Sequence, residues 1–65
     1  MEPHRKLMWA IVLDGIASRD RPYLRSHRFV RHCEILGVPV DQMRRVDRDK
    51  ARQGLWLINH AGELA

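Results

Sequence analysis

Apolar residues recur at helical intervals through most of this chain. Trp9, Val12, Leu13 and Ile16 follow a 3.6-residue period, which predicts a first helix over residues 4–17. Pro3 suits the first turn of such a helix, where its missing N–H costs nothing. Met8, Ile11 and Gly15 fall on a neighbouring strip, so the apolar surface is broader than one small core needs. A partner subunit would explain that breadth; so would a helix wedged between other segments of the same chain. The pattern breaks over residues 18–22, where Arg21 precedes Pro22 and is biased away from helical angles. Residues 23–25 are expected to form a short helical turn.

A second helix is predicted over residues 27–36. Phe29, Cys33 and Leu36 share one face with Val30 beside them, while Arg28 and Arg31 point elsewhere. Ser26 is a good N-cap, and Gly37 tolerates the left-handed cap that ends a helix. A third helix is expected to start at Pro39, with Asp41 in its first turn. It continues through Met43 and Val46 to about Arg52, and Gly54 ends it. Leu55, Trp56, Leu57 and Ile58 form an apolar run too short to assign by period. Gly62 and the tail are expected to fray. The fold class that follows is all-α: a single small three- to four-helix domain over residues 1–65, containing a helix-turn-helix over about residues 27–53.

Sixty-five residues leave a core that is marginal alone. A single cysteine, Cys33, permits no internal disulfide and fits a reducing compartment. Dimerisation is one remaining source of stability. A homodimer would use the first helix or residues 55–58. The apolar stretch at residues 7–13 is interrupted by Asp14 and lacks a cleavage site typical of secretory leaders. It is also far shorter than the roughly 20 residues of a membrane span. A cytoplasmic protein with no membrane partner is expected.

Charge sharpens the reading. The net charge is +4, and ten of the twelve basic residues are arginine. The planar guanidinium fork suits phosphate and guanine, which favours a nucleic-acid partner. A GC-rich genome would produce the same enrichment without any such role. Arg44, Arg45, Arg48, Lys50 and Arg52 outnumber the interleaved Asp47 and Asp49. Arg19, Arg21, Arg25, Arg28 and Arg31 outnumber Asp20.

Residues 29–48 read FVRHCEILGVPVDQMRRVDR: a helix, a turn with glycine, and a second helix. This stretch resembles the helix-turn-helix of small bacterial and phage DNA-binding proteins. Cys33 fills the place of the small residue where the two helices cross. Leu36, Gly37 and Val38 match the turn, and Met43 and Val46 match the inner face of the second helix. Pro39 departs from the usual serine or threonine cap, Val40 and Asp41 from the usual polar groove-facing residues, and His32 from an apolar inner position. The resemblance implies a DNA-binding accessory or regulatory protein of phage or prophage type. In such a motif the second helix enters the major groove while the first crosses the backbone. Arg44 and Arg48 fall four residues apart on one predicted face, extended by Arg52 and flanked by Arg45, with Gln42 a further base contact. Arg25, Arg28 and Arg31 would track phosphates.

Other chemistry has little support. His4, His27, His32 and His60 show no metal-ligand spacing, and adjacent His32 and Cys33 diverge on a helix. Cys33 reads as a core residue, not a nucleophile. With no glycine-rich phosphate loop and no carboxylate pair, no enzyme and no cofactor are expected. His32 is expected at the edge of the core, and Trp9 and Trp56 as core or interface anchors. The alternative function is a small helical protein-interaction adaptor or inhibitor without DNA binding, motivated by the broad first helix and the run at residues 55–58. RNA binding through the same arginines is a third reading, weakened by the chain's four aromatic residues.

Overall fold

Helix start and stop signals divide the chain into five helices. A computed structural model describes residues 2–60. Helix α1 spans Pro3–Ala17, α2 Arg21–Leu24, α3 His27–Leu36, α4 Val40–Arg44 and α5 Arg48–Asn59. Among the described residues there is no strand, so the domain is all-helical. No described helix is long and apolar enough to cross a membrane. Gly62 and the predicted fraying tail lie outside the described residues.

Side-chain caps explain most boundaries. Glu2 accepts from the His4 and Arg5 N–H groups at 2.9 and 3.2 Å and starts α1, with Pro3 in the first position. Asp20 accepts from the Tyr23 N–H at 3.2 Å and starts α2. Arg21 is helical despite preceding Pro22, because this cap holds a turn whose second residue needs no free N–H. Ser26 accepts from the Phe29 N–H at 3.3 Å and starts α3 as its sequence position predicts.

α1 and α3 end in the same way. In α3 the Val38 N–H reaches the Cys33 carbonyl and the Gly37 N–H reaches that of Glu34, with Gly37 left-handed at φ 72°. In α1 the Asp20 N–H reaches the Gly15 carbonyl and the Arg19 N–H reaches that of Ile16. Both are Schellman closures. The left-handed place in the second is filled by an arginine, Arg19, at φ 54°.

The third predicted helix is two helices. α4 is five residues long and closes at Arg45, whose N–H bonds back to the Gln42 carbonyl. Asp47 then turns its carboxylate onto the Asp49 N–H at 2.8 Å and caps a new helix. A short acceptor side chain that bonds its own backbone competes with helix continuation, and here it wins. Pro39 is extended and precedes α4 as its cap rather than serving as the first helical residue. Gly54 does not end a helix either. It sits inside α5 where Leu13 crosses, and residues 55–58 continue as helix.

α1 is the central element, packed against α2, α3 and α5, while α4 rests on α3. Arg48 meets Ala17 and Gly54 meets Leu13, so α5 runs antiparallel to α1. Val12, Phe29 and Cys33 are inaccessible to solvent at the centre. Leu13, Ile16, Ala17, Leu36, Met43 and Ala51 complete the buried cluster, and Trp9 packs against it half-buried. Trp56 is not a core residue: it is 52% exposed and stacks on His60, with ring centroids 4.4 Å apart.

Gly15→Ala is expected to lower the unfolding free energy by about 1–3 kcal/mol, because its methyl would meet the Tyr23 ring at 2.5 Å. Gly37→Ala should cost about 1–2 kcal/mol through left-handed strain alone, since nothing crowds that position. Urea unfolding followed by circular dichroism measures both. A Gly15→Ala protein as stable as the parent would mean that the ring is not seated on α1.

Candidate nucleic-acid interface

Backbone amphipathicity puts Phe29, Cys33 and Leu36 of α3 inward, which leaves Arg28, Arg31, Glu34 and Ile35 outward. The turn at residues 37–39 then delivers α4, with Met43 buried and Asp41, Gln42, Arg44 and Arg45 exposed. Val38 and Val46 are half-buried on either side of α4. Cys33 is inaccessible, so its small side chain fills the interior behind α3. Burial pushes its thiol above the ordinary range, which keeps it protonated and unreactive at neutral pH. Val40 is half-buried, and that leaves Asp41 and Gln42 as the polar positions at the start of α4.

The predicted arginines divide by what they touch. Arg48 donates its Nε–H to the Ala17 carbonyl at 2.9 Å and so closes the C-terminus of α1. Arg44 lies 5.7 Å from the centroid of the Phe29 ring, and its guanidinium is 3.9 Å from the Asp41 carboxylate. These two side chains hold the fold as well as presenting charge. Arg44 closes α4 and Arg48 opens α5, so the expected single helical face carrying Arg44, Arg48 and Arg52 does not exist. The break that Asp47 imposes is the reason. Arg48 and Arg52 do share α5, where both border a shallow groove with Asp14 and Ser18. Gln42, Arg45, Arg28 and Arg31 are exposed as expected, and Arg25 caps the C-terminus of α2.

The break has a second effect. It brings Arg48 and Arg44 onto the lining of one open groove of about 420 Å³. Arg19 and Arg21 line the same groove, from the loop after α1 and the start of α2. The sequence shows both only as part of a charge excess, not as contacts. The signal was the Ser-Arg-Asp-Arg sequence at residues 18–21, a helix-ending loop carrying two arginines.

Behind α3, the Tyr23 hydroxyl and His32 Nδ1 are 2.8 Å apart and share a hydrogen bond. His32 is half-buried at the edge of the core, where the sequence places it. Burial pushes the Tyr23 phenol up to about 12, with the neighbouring Cys33 adding in the same direction. Among the described residues, no three His, Cys, Asp or Glu side chains gather as a metal site would require.

Arg48→Ala is expected to cost about 1 kcal/mol of stability, because it orphans the Ala17 carbonyl. Arg45→Ala should stay within about 0.5 kcal/mol in the same urea titration. Tyr23 is the only tyrosine, so tyrosinate absorbance reports it directly. Its midpoint should fall near 12 rather than 10. Because the folded value is the higher one, the neutral phenol's contribution to stability is complete below pH 10 and is lost between 10 and 12. A midpoint at the ordinary value would mean a solvated Tyr23 ring.

The chain matches no family model, no curated protein and no solved structure.

Proposed function

We propose that this protein binds double-stranded DNA as a cytoplasmic helix-turn-helix accessory or regulatory protein. One observation carries the reading: seven of its ten arginines have unengaged guanidinium groups. Arg19, Arg21, Arg25, Arg28, Arg31, Arg45 and Arg52 make no side-chain hydrogen bond or ion pair with the described residues. Five of them, Arg21, Arg25, Arg28, Arg31 and Arg45, lie in or cap helices α2, α3 and α4. Guanidinium groups held on a folded surface without partners create a field that attracts a polyanion.

In this reading α4 presents Gln42 and Arg45 to base edges, and Arg25, Arg28 and Arg31 contact phosphates as α3 crosses the strand. α4 is five residues long, so few bases can be read directly. Most of the affinity is then electrostatic. Asp41, exposed at the start of α4, disfavours phosphate and suits a cytosine amine.

A second reading rests on exposed apolar residues. Leu7 and Ile11 lie one turn apart on the outer side of α1, 61% and 41% exposed. Ile35, also exposed, borders a cavity with Met8. A protein partner or a second copy of the chain would cover such a surface, as an adaptor or a homodimer requires.

Fluorescence anisotropy of labelled random-sequence duplex, at two salt concentrations, separates the two. Binding should weaken steeply with salt, with a log–log slope of about −0.9 per phosphate neutralised. An Arg28→Ala/Arg31→Ala protein should lose about two such contacts while keeping its helical circular dichroism. Absence of binding at low salt, or binding indifferent to salt, would favour the apolar surface as the functional one.

A further inference from the structure

The groove between α2 and α5 adjoins the C-terminal end of α4 but contains neither Gln42 nor Arg45. Four arginines from four different segments meet there: Arg19 after α1, Arg21 in α2, Arg44 in α4 and Arg48 in α5. Ile16 is buried, and Leu24 and Val46 are half-buried, so they form the deeper wall. One carboxylate, Asp47, also lines the groove, and it is committed to the Asp49 N–H. Positive charge therefore exceeds negative around a concave, partly apolar surface. Like charges gathered in this way repel one another unless an anion enters.

We propose that this groove is a phosphate site that takes one phosphate together with its attached sugar. Arg19 and Arg21, which are unengaged, grip the phosphate oxygens through the paired N–H groups of the guanidinium fork. Arg44 and Arg48 are already anchored to Phe29 and to the Ala17 carbonyl, and they supply fixed charge to the same groove. The apolar wall suits the C–H face of a sugar. No aromatic ring lines the groove, so a stacked base has no platform there.

The backbone at Arg19 supports the assignment independently. A left-handed φ of 54° is a strained conformation for arginine, and glycine fills the equivalent position after α3. Strain retained in a folded chain points to the side chain's use at that place. If the DNA reading above holds, the phosphate is one of the duplex backbone. A free sugar phosphate offers the same chemistry.

The test uses Arg19→Gly, which removes the grip while relieving the strain, so folding is preserved. Arginine Nε–H resonances are followed by NMR as inorganic phosphate, and then deoxyribose 5-phosphate, is added to the full chain. Expected are saturable shifts at Arg19 and Arg21 but not at Arg28 and Arg31, tighter binding of the sugar phosphate, and roughly tenfold weaker binding by Arg19→Gly. Shifts spread evenly over all exposed arginines, or an Arg19→Gly protein that binds as tightly as the parent, would overturn the proposal. The duplex titration is run on both proteins. If the sugar phosphate binds and duplex does not, the DNA reading fails and the groove stands. If duplex binds with the same salt slope in both proteins and the groove resonances stay silent, the groove fails and the DNA reading stands.

Discussion

The Tyr23 ring lies where any side chain on Gly15 would have to be. A Cβ there would stand 2.5 Å from the ring, so α2 can cross α1 at this height only because residue 15 is glycine. The same ring meets Phe29 edge-on at 5.5 Å, and its hydroxyl bonds His32. One side chain on a four-residue helix thus ties α1 to the first two turns of α3. The direction in which α3 leaves is set by that contact, and α4 rests on α3. The loop that carries Arg19 leads into α2, which the same ring pins. The position of most of the candidate interface depends on this one close approach.

Charge is arranged around the packing in two populations. Arg5, Arg44 and Arg48 are fixed, to the Leu36 carbonyl, the Phe29 ring and the Ala17 carbonyl respectively. Arg5 and Arg48 cap the C-termini of α3 and α1, where cations suit the helix dipole. The remaining arginines have no such partner among the described residues. Exposed ion pairs contribute little in any case, as the 3.9 Å contact between Arg44 and Asp41 shows by its length. The surplus charge is therefore not explained by stability.

Much of the helical framework was legible in the sequence because periodicity and caps agreed. The α3 boundaries, the Ser26 cap, the left-handed Gly37 and the buried Phe29, Cys33, Leu36 and Met43 all follow from residue types at local spacing. The failures share a cause. In the sequence Asp47 reads as a charge but it acts as a cap, and Gly54 reads as a stop but it is a point of close packing. In each case a tertiary or capping contact overrides the period. The Arg19–Arg21–Arg44–Arg48 groove was illegible for the same reason, since its members are up to 29 positions apart and meet only because the chain turns at Asp47. The individual arginines were visible; their convergence was not.

Arg19 and Gly37 fill the same backbone place with different residue types. Both residues close a helix with the same pair of hydrogen bonds, and both are left-handed. At residue 37 the chain uses the residue that adopts this conformation without strain, and the helix that follows inherits a well-defined start. At residue 19 it keeps a long cation instead, at a cost of about 1–2 kcal/mol in a domain with little stability to spare. A solvated loop has no reason to keep such strain. A loop that must hold a guanidinium at the rim of a groove does have one. The two closures, compared within one chain, separate what the fold requires from what the surface requires.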